Sequence, residues 1–323
     1  MNPLTVPSTG ASSADVGAVG PGDGTRAVAI GGGHGTARTL RALPAVVDHV
    51  TAVVTVADDG GSSGRLRRDL DVLPPGDLRM ALTALAQDTQ LAELVGYRFD
   101  RGELAGHSLG NLMLVALQEL TGGDVVAALD RLAGQLGVPG RVLPCTTDAV
   151  TLHAVTAAGG VTGQAAVAAT PWLKRVWLDP AAPAANPDAV AAVERADLVV
   201  LGPGSLYTSL LPNLLVPEIS KAVVASQAPV VFVSNLREQP GETEGMRLVD
   251  HLDALLSHVD IEVDVVVAHD GPAPSGEGAA LVADVDELGK YAPRVVTADL
   301  LDGVDGHSFQ ALAMVFDELL RAS

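Results

Sequence analysis

The chain has 323 residues and a formal charge of −19, enough length to bury a large core beneath a strongly acidic surface. That charge argues against nucleic acid or an anionic membrane as the main partner, and no apolar run is long enough for a membrane helix. Small anions stay open as ligands, because screening over roughly 8 Å lets nearby arginines set the field of a pocket.

Residues 1–25 are rich in glycine, serine, proline and alanine and lack the basic start and apolar centre of a signal peptide, so a disordered tail is expected there. The remainder, 26–323, reads as one Rossmann-like domain. It opens with a buried strand over 27–30, a turn through Gly31, Gly32 and Gly33 that lets backbone approach a ligand, and a helix over 36–43. Gly31 and Gly33 fit the G-x-G-x-x-G spacing, Thr36 stands where the third glycine belongs, and no P-loop occurs. His34, inside the turn, is placed to donate to a phosphate.

A second apolar run, 50–57, ends in DDGGSSGRLRR. Two carboxylates, Asp58 and Asp59, precede Gly60, the hydroxyls of Ser62 and Ser63, and Arg65 at a helix start. Acids accept from ribose or base, while glycine amides, hydroxyls and a guanidinium suit phosphate. A solvated glycine-rich loop is the plainer reading of the same residues. Asp58 and Asp59 also suit a hard cation such as Mg²⁺ that bridges to phosphate. Arg65, Arg67, Arg68 and Arg79 stand out as a basic cluster in so acidic a chain. In PPGDLR, Asp77 reads as the N-cap of a helix over 78–86, with Arg79 either reaching ligand or lying on the surface.

GHSLGNLML contains G-x-S-x-G, the pattern of a hydrolase nucleophile elbow. An elbow needs an apolar strand directly before its serine, and 99–105 is charged and carries a glycine. His107, Ser108 and Asn111 therefore read as ligand donors or a cap ahead of a helix over 111–120. The lone cysteine, Cys145, excludes an intrachain disulfide or a thiolate metal cage and fits a reduced, cytoplasmic setting. An antiparallel insertion is expected around 150–178: strands 150–157 and 161–168 about Gly159 and Gly160, then a third at 174–178.

A second wound half follows, with a helix over 186–195 capped by Asn186, a strand at 197–201, a helix over 213–226 and a strand at 229–234. Strands at 261–268 and 294–297 and a helix over 309–321 complete an α/β, doubly wound, mostly parallel fold. Gly202, Pro203, Gly204 and Ser205, with Tyr207, Thr208 and Asn213 beyond, offer donors at a strand's carboxyl end, where open α/β sheets bind ligands. Asn235 and Gln239 flank the same crevice and suit ring or amide recognition, and Glu242 reads as a helix start. His251, His258 and His269 read as surface or cap residues, and no histidine has metal-binding spacing.

The runs ADDGGSSGRLR, PPGD, GHSLGNLML, ADLVVLGPGSLYTSLLPNLL and QPGET, in this order, resemble the YvcK-like family of gluconeogenesis factors, relatives of the CofD 2-phospho-L-lactate transferases. The resemblance covers about residue 26 to the C-terminus. It implies a CofD-like, Rossmann-like cytoplasmic protein that binds a nucleotide-sugar such as UDP-N-acetylglucosamine. It also implies a link to cell-envelope precursor supply, peptidoglycan included, to cell shape and to growth on gluconeogenic carbon, and a ligand contact for Tyr291. His34 departs from the small hydroxyl residue usual in the family, and Gly306 from the arginine that many relatives carry before the histidine.

These residues together suit a regulator that binds a UDP-sugar with no required cofactor and no turnover. The turns 31–33 and 202–205 would hold phosphates, Asp58 and Asp59 the ribose or base, and Asn111 and Tyr291 the sugar or ring. The alternatives are a Mg²⁺-dependent, CofD-like phospho-group transferase and an NAD-binding protein without hydride transfer. A second copy of the chain and an enzyme of amino-sugar synthesis are the expected protein partners.

Overall fold

A computed structural model describes residues 24–303 and 306–322; apart from its last two residues, the expected tail lies outside the described residues. The chain enters through β1 (Arg26–Gly31) and crosses by α1 (Gly33–Ala42) to β2 (His49–Val54). A helical excursion follows: α2 (Gly61–Leu70), α3 (Gly76–Leu85), α4 (Thr89–Gly96), α5 (Leu109–Leu120) and α6 (Val125–Leu136), ending in β3 (Gly140–Pro144). The insertion holds β4 (Thr151–Thr156), β5 (Gly159–Thr162), α7 (Gln164–Ala168) and β6 (Arg175–Asp179). Then α8 (Pro187–Glu194) returns the chain to β7 (Leu198–Leu201), and α9 (Leu211–Leu214) and α10 (Pro217–Ala225) lead to β8 (Val230–Val233). The remaining elements are α11 (Leu248–His258), β9 (Val265–His269), α12 (Val285–Leu288), β10 (Arg294–Ala298) and α13 (Phe309–Ala322).

Seven strands form one parallel sheet in the order β10-β9-β8-β7-β1-β2-β3, and β5-β4-β6 form a separate antiparallel sheet. Helices cover both faces, so the central strands read as unbroken apolar runs: every residue of β7 and β8 is buried. The winding reverses between β1 and β7, and the carboxyl ends of those two strands flank the crevice that this topology creates. No described helix is long and apolar enough to cross a membrane.

The architecture matches the expected doubly wound fold with an antiparallel insertion, and several local expectations are corrected. The run 161–168 is not one strand: β5 stops at Thr162, Gly163 turns at φ +97°, and the alanine-rich 164–168 coils into α7. The helix expected over 213–226 is broken, because Pro217 lacks the amide to continue a helix and instead opens α10. The first helix starts at Gly33 rather than Thr36, and β2 pairs only to Val54, since its neighbour β3 ends at Pro144. Strand pairing at 261–268 begins only with Val265. Unmarked in the sequence reading are α4, α6, β3, α11 and α12. The signals for α6 were available: Asp124 accepts from the Ala127 amide at the head, and Gly137 at φ +62° ends the helix.

The two wound halves meet at Gly35 of α1. A Cβ there would lie 2.5 Å from the Pro203 carbonyl oxygen and 2.7 Å from Gly204 Cα. Thr36 and Thr39, one face of the same helix, donate to the carbonyls of Pro203 at 3.3 Å and Gly202 at 2.8 Å. Backbone lies opposite Gly35, so no side chain can move aside for a methyl group. Gly35→Ala is expected to destabilise the fold by about 1–3 kcal/mol, the usual range for overpacking, read as a lower midpoint in urea. An unchanged midpoint would mean that the two halves are not held at this contact.

Candidate functional site

The first turn is narrower than its glycines suggest. Gly31 ends β1, Gly32 is an extended cap at φ −175°, and Gly33 at φ +68° already belongs to α1. The Gly32 amide donates to Thr36 Oγ1 at 2.9 Å, and the Gly33 amide to the Asp77 carboxyl. Asp77 is not the N-cap of α3; Pro75 holds that place, and Asp77 lies two residues further in, its carboxyl beneath Gly32. Burial, and then the neighbouring Asp58, push its pKa from 3.8 to about 7, against the pull of Arg79 and the Gly33 amide. His34 is exposed in the first turn of α1. Helix geometry leaves the amides of His34 and Gly35 without an intrahelical acceptor.

The second turn, after β7, uses glycine at φ +78° (Gly202) and +139° (Gly204). Asn235 clamps Gly204 with both ends of its amide, Oδ1 accepting at 2.8 Å and Nδ2 donating at 2.9 Å, and Gln239 Nε2 donates to Ser205 Oγ at 2.9 Å. Glu242 does not start a helix. Its buried carboxylate accepts from the amides of Tyr207 at 2.6 Å and Thr208 at 3.1 Å and from the Thr208 hydroxyl at 3.0 Å. Burial raises its pKa against those bonds. Asn213 Nδ2 donates to the carbonyls of Gly31 at 2.9 Å and Ser209 at 2.7 Å. Asn213, Asn235, Tyr207 and Thr208 therefore build the wall of the crevice, whereas the Leu206 amide at the head of the turn 206–210 has no acceptor in that turn.

A third group lies past β2. Asp58 Oδ1 accepts from the Gly60 amide at 2.9 Å, and Asp59 Oδ1 from Ala165 of α7 at 2.9 Å, so Asp59 also ties the loop after β2 to the insertion. Ser63 Oγ accepts from Gly76 at 3.1 Å. Ser62 Oγ meets His107 Nδ1 at 3.0 Å and accepts from Asn111 Nδ2 at 3.0 Å, and Asn111 Oδ1 accepts from Arg79 Nε at 3.1 Å. Ser108 is fully buried and caps α5, accepting from the Asn111 amide at 3.3 Å, which removes it as an elbow nucleophile. The Cys145 thiol is buried and pushed up to about 12, which keeps it protonated.

The expected arginine cluster divides. Arg67 donates to Val150 O at 2.7 Å and Arg68 is exposed, while Arg65 and Arg79 converge on 105–111 together with Arg98, which sequence reasoning missed. Tyr291 stands apart from the crevice: it precedes β10 at the strand's amino end, and its hydroxyl donates to Asp253 of α11 at 2.7 Å. The surface reading of the histidines is also corrected. His251 and His269 are buried, His269 accepting from the Leu300 amide, and His258 accepts from the Val176 amide at 3.0 Å to join α11 to β6. Gly306 leaves room for Arg38 of α1, whose Nη2 would lie 3.1 Å from a Cβ there.

A similar fold and sequence occur in known proteins. The family profile described as 2-phospho-L-lactate transferase CofD matches residues 27–301. A gluconeogenesis factor from Halalkalibacterium halodurans is 43% identical over 250 residues, 76% of this chain and 77% of its own. Another, from Listeria innocua, is 38% identical over 305 residues, 91% of this chain and 94% of its own. The crystal structure of a UPF0052-family protein from Bacillus halodurans superposes with a TM-score of 0.86 at 37% identity, covering 91% of this chain and 98% of that one.

Asp77 holds its proton more tightly folded than unfolded, so its contribution to stability is complete below pH 3.8 and is lost as pH rises to about 7. Part of the residue stays open to solvent, which discounts the loss to about 2 kcal/mol. Asp77→Asn is neutral throughout and should flatten this slope, gaining on the parent at pH 8 relative to pH 4. Urea unfolding at the two pH values measures it, and parallel profiles would show that Asp77 is ionised in the fold without penalty.

Proposed function

The chain belongs to the CofD family, among its gluconeogenesis factors, and from that footing we propose that it is a regulator that binds a nucleotide-sugar of the UDP-N-acetylglucosamine kind without turning it over. In this role it couples gluconeogenic carbon use to cell-envelope precursor supply, with an enzyme of amino-sugar synthesis as its protein partner. One observation carries the reading: two glycine turns meet at the point where the strand order reverses, each at the head of a helical segment. A diphosphate fits the amides of His34 and Gly35 on one side and of Leu206 on the other. Ribose or sugar hydroxyls fit the remaining acceptor capacity of Asp58.

The same residues are poorly equipped for covalent chemistry. Ser108 and Cys145 are sealed, and the Ser62 hydroxyl that meets His107 is 4% exposed and shared with Asn111. Among the described residues no carboxylate hydrogen-bonds His107 to orient its ring.

A second reading, phospho-group transfer, is favoured by the family profile itself and by the adjacency of Asp58 and Asp77. The described residues contain no group of three side chains able to cage a metal ion. Mg²⁺ would therefore rest on Asp58 and Asp77 with ligand phosphates completing its shell, where it would neutralise charge on a transferring group.

Calorimetry with UDP-N-acetylglucosamine should give one saturable site per chain, and the ligand should be recovered intact after long incubation with Mg²⁺. At a hundredfold excess over Kd the ligand should add about 2.7 kcal/mol to stability. Release of UDP or UMP beyond one equivalent would replace the regulator reading with transfer, and saturable binding of NAD in place of any UDP-sugar would remove both.

A further inference from the structure

Three guanidinium groups gather where α2, α3 and the loop 97–108 meet. Arg65 donates to Ala105 O at 2.7 Å, Arg98 to Gly106 O at 2.5 Å, and Arg79 through Nε to Asn111 Oδ1 at 3.1 Å. All three acceptors are neutral. Among the described residues no ion pair includes any of the three, although the chain as a whole is strongly acidic. Arg79 is only 8% exposed. A cation that far from water is normally paired, and an unpaired one is strongly destabilising.

The charges also oppose one another. Burial and then Arg98 lower the pKa of Arg79, and burial, then Arg65 and Arg98, lower that of His107. The acids that act on them from a distance, Asp77 on Arg79 and Asp69 on His107, do not close to ion pairs. The hydrogen bonds orient what remains. Because Asn111 Oδ1 faces Arg79, its Nδ2 faces Ser62. With Asn111 donating to it, the Ser62 hydroxyl keeps its own proton to give, and in the tautomer that takes this proton at Nδ1, 3.0 Å away, His107 carries its own on Nε2. Gly106, at φ +83°, carries no side chain where Arg65 Nη2 comes within 2.9 Å of a would-be Cβ.

We propose that this bay is a binding site for a phosphate dianion, with Arg65, Arg79 and Arg98 as its counter-charges and His107 at its edge as a further hydrogen-bonding group. Guanidinium groups suit phosphate because their planar forks give paired, charge-assisted hydrogen bonds. The dianion is either the phosphate of a separate phosphorylated metabolite or one phosphate of the nucleotide ligand. Only the second source rests on the nucleotide-sugar reading.

Inorganic phosphate, titrated by calorimetry into the full chain, separates the outcomes. Wild type is expected to bind it saturably and to melt at higher temperature in its presence. Arg98→Gln, at an exposed position, and Arg65→Gln, at a half-buried one, should each weaken binding about tenfold or more, and Arg98→Gln should keep its unliganded melting temperature. Mutual exclusion of phosphate and UDP-N-acetylglucosamine assigns the bay to the nucleotide's own phosphate, and additive binding assigns it to a second molecule; either result supports the site. Saturable phosphate binding with no affinity for any UDP-sugar sinks the nucleotide-sugar reading and leaves the bay standing. Wild type that binds phosphate no more tightly than the Arg65→Gln, Arg98→Gln double variant overturns the proposal.

Discussion

Everything at the crevice depends on how closely α1 lies against the loop after β7. Gly35 leaves no room for a side chain there, and the hydroxyls of Thr36 and Thr39 answer the carbonyls that the loop turns toward the helix. Asn213 closes the circuit from the other side by donating to the carbonyl of Gly31. Each of these groups would be a buried, unsatisfied polar atom if the helix stood further off. The two glycine turns therefore form one rigid piece of backbone that spans the two wound halves. A ligand lying across it meets a surface already assembled, so little ordering opposes its binding.

The same rigidity has a chemical consequence. Anions bind at helix heads because the first amides lack partners, but here the protein supplies several of those partners itself. Asp77 takes the Gly33 amide, Glu242 takes those of Tyr207 and Thr208, and Asn235 takes that of Gly204. A glycine-rich turn thus stops being a phosphate cradle at the positions its own acids occupy, and its free donors shift to neighbouring residues. Glu242 in particular occupies the amides of Tyr207 and Thr208 in the 206–210 turn, which leaves the open donors for a diphosphate mainly on the side of α1.

Much of this was legible in the chain, and the failures have physical causes. Uninterrupted apolar runs such as 198–201, and the Asn186–Pro187–Asp188 start of α8, announce themselves because strand burial and helix capping are local matters. The stretch 164–168 was misread because period-two and helical patterns look alike in a run of alanine and valine, and only the turn at Gly163 decides between them. The placement of Tyr291 came from resemblance alone, and strand direction sends it to the wrong end of the sheet. Glu242, Arg98, His258 and His269 were undervalued for a common reason: each has a partner 31 to 82 residues away or in an irregular loop, where no spacing rule reaches. Side-chain types marked the region of the site well, but not which donors were already taken.

α3 arranges what is left. Residues two apart on a helix point to nearly opposite sides, so Asp77 and Arg79 divide the neighbourhood between them. Asp77 faces the first glycine turn and Asp58, and its pKa is raised first by burial and then by the negative charge of Asp58 there. Arg79 faces Asn111 and Arg98, and its pKa is lowered first by burial and then by the positive charge of Arg98 on that side. Neither crowd is relieved by an internal ion pair, since the helix holds the two side chains apart. Hydroxyl donors would relieve the first crowd at Asp58, and a separate anionic group at Arg79 and Arg98 would relieve the second. The acidic surface of the chain then works for selectivity, because an anion repelled at long range is held only where these guanidinium groups overcome that field.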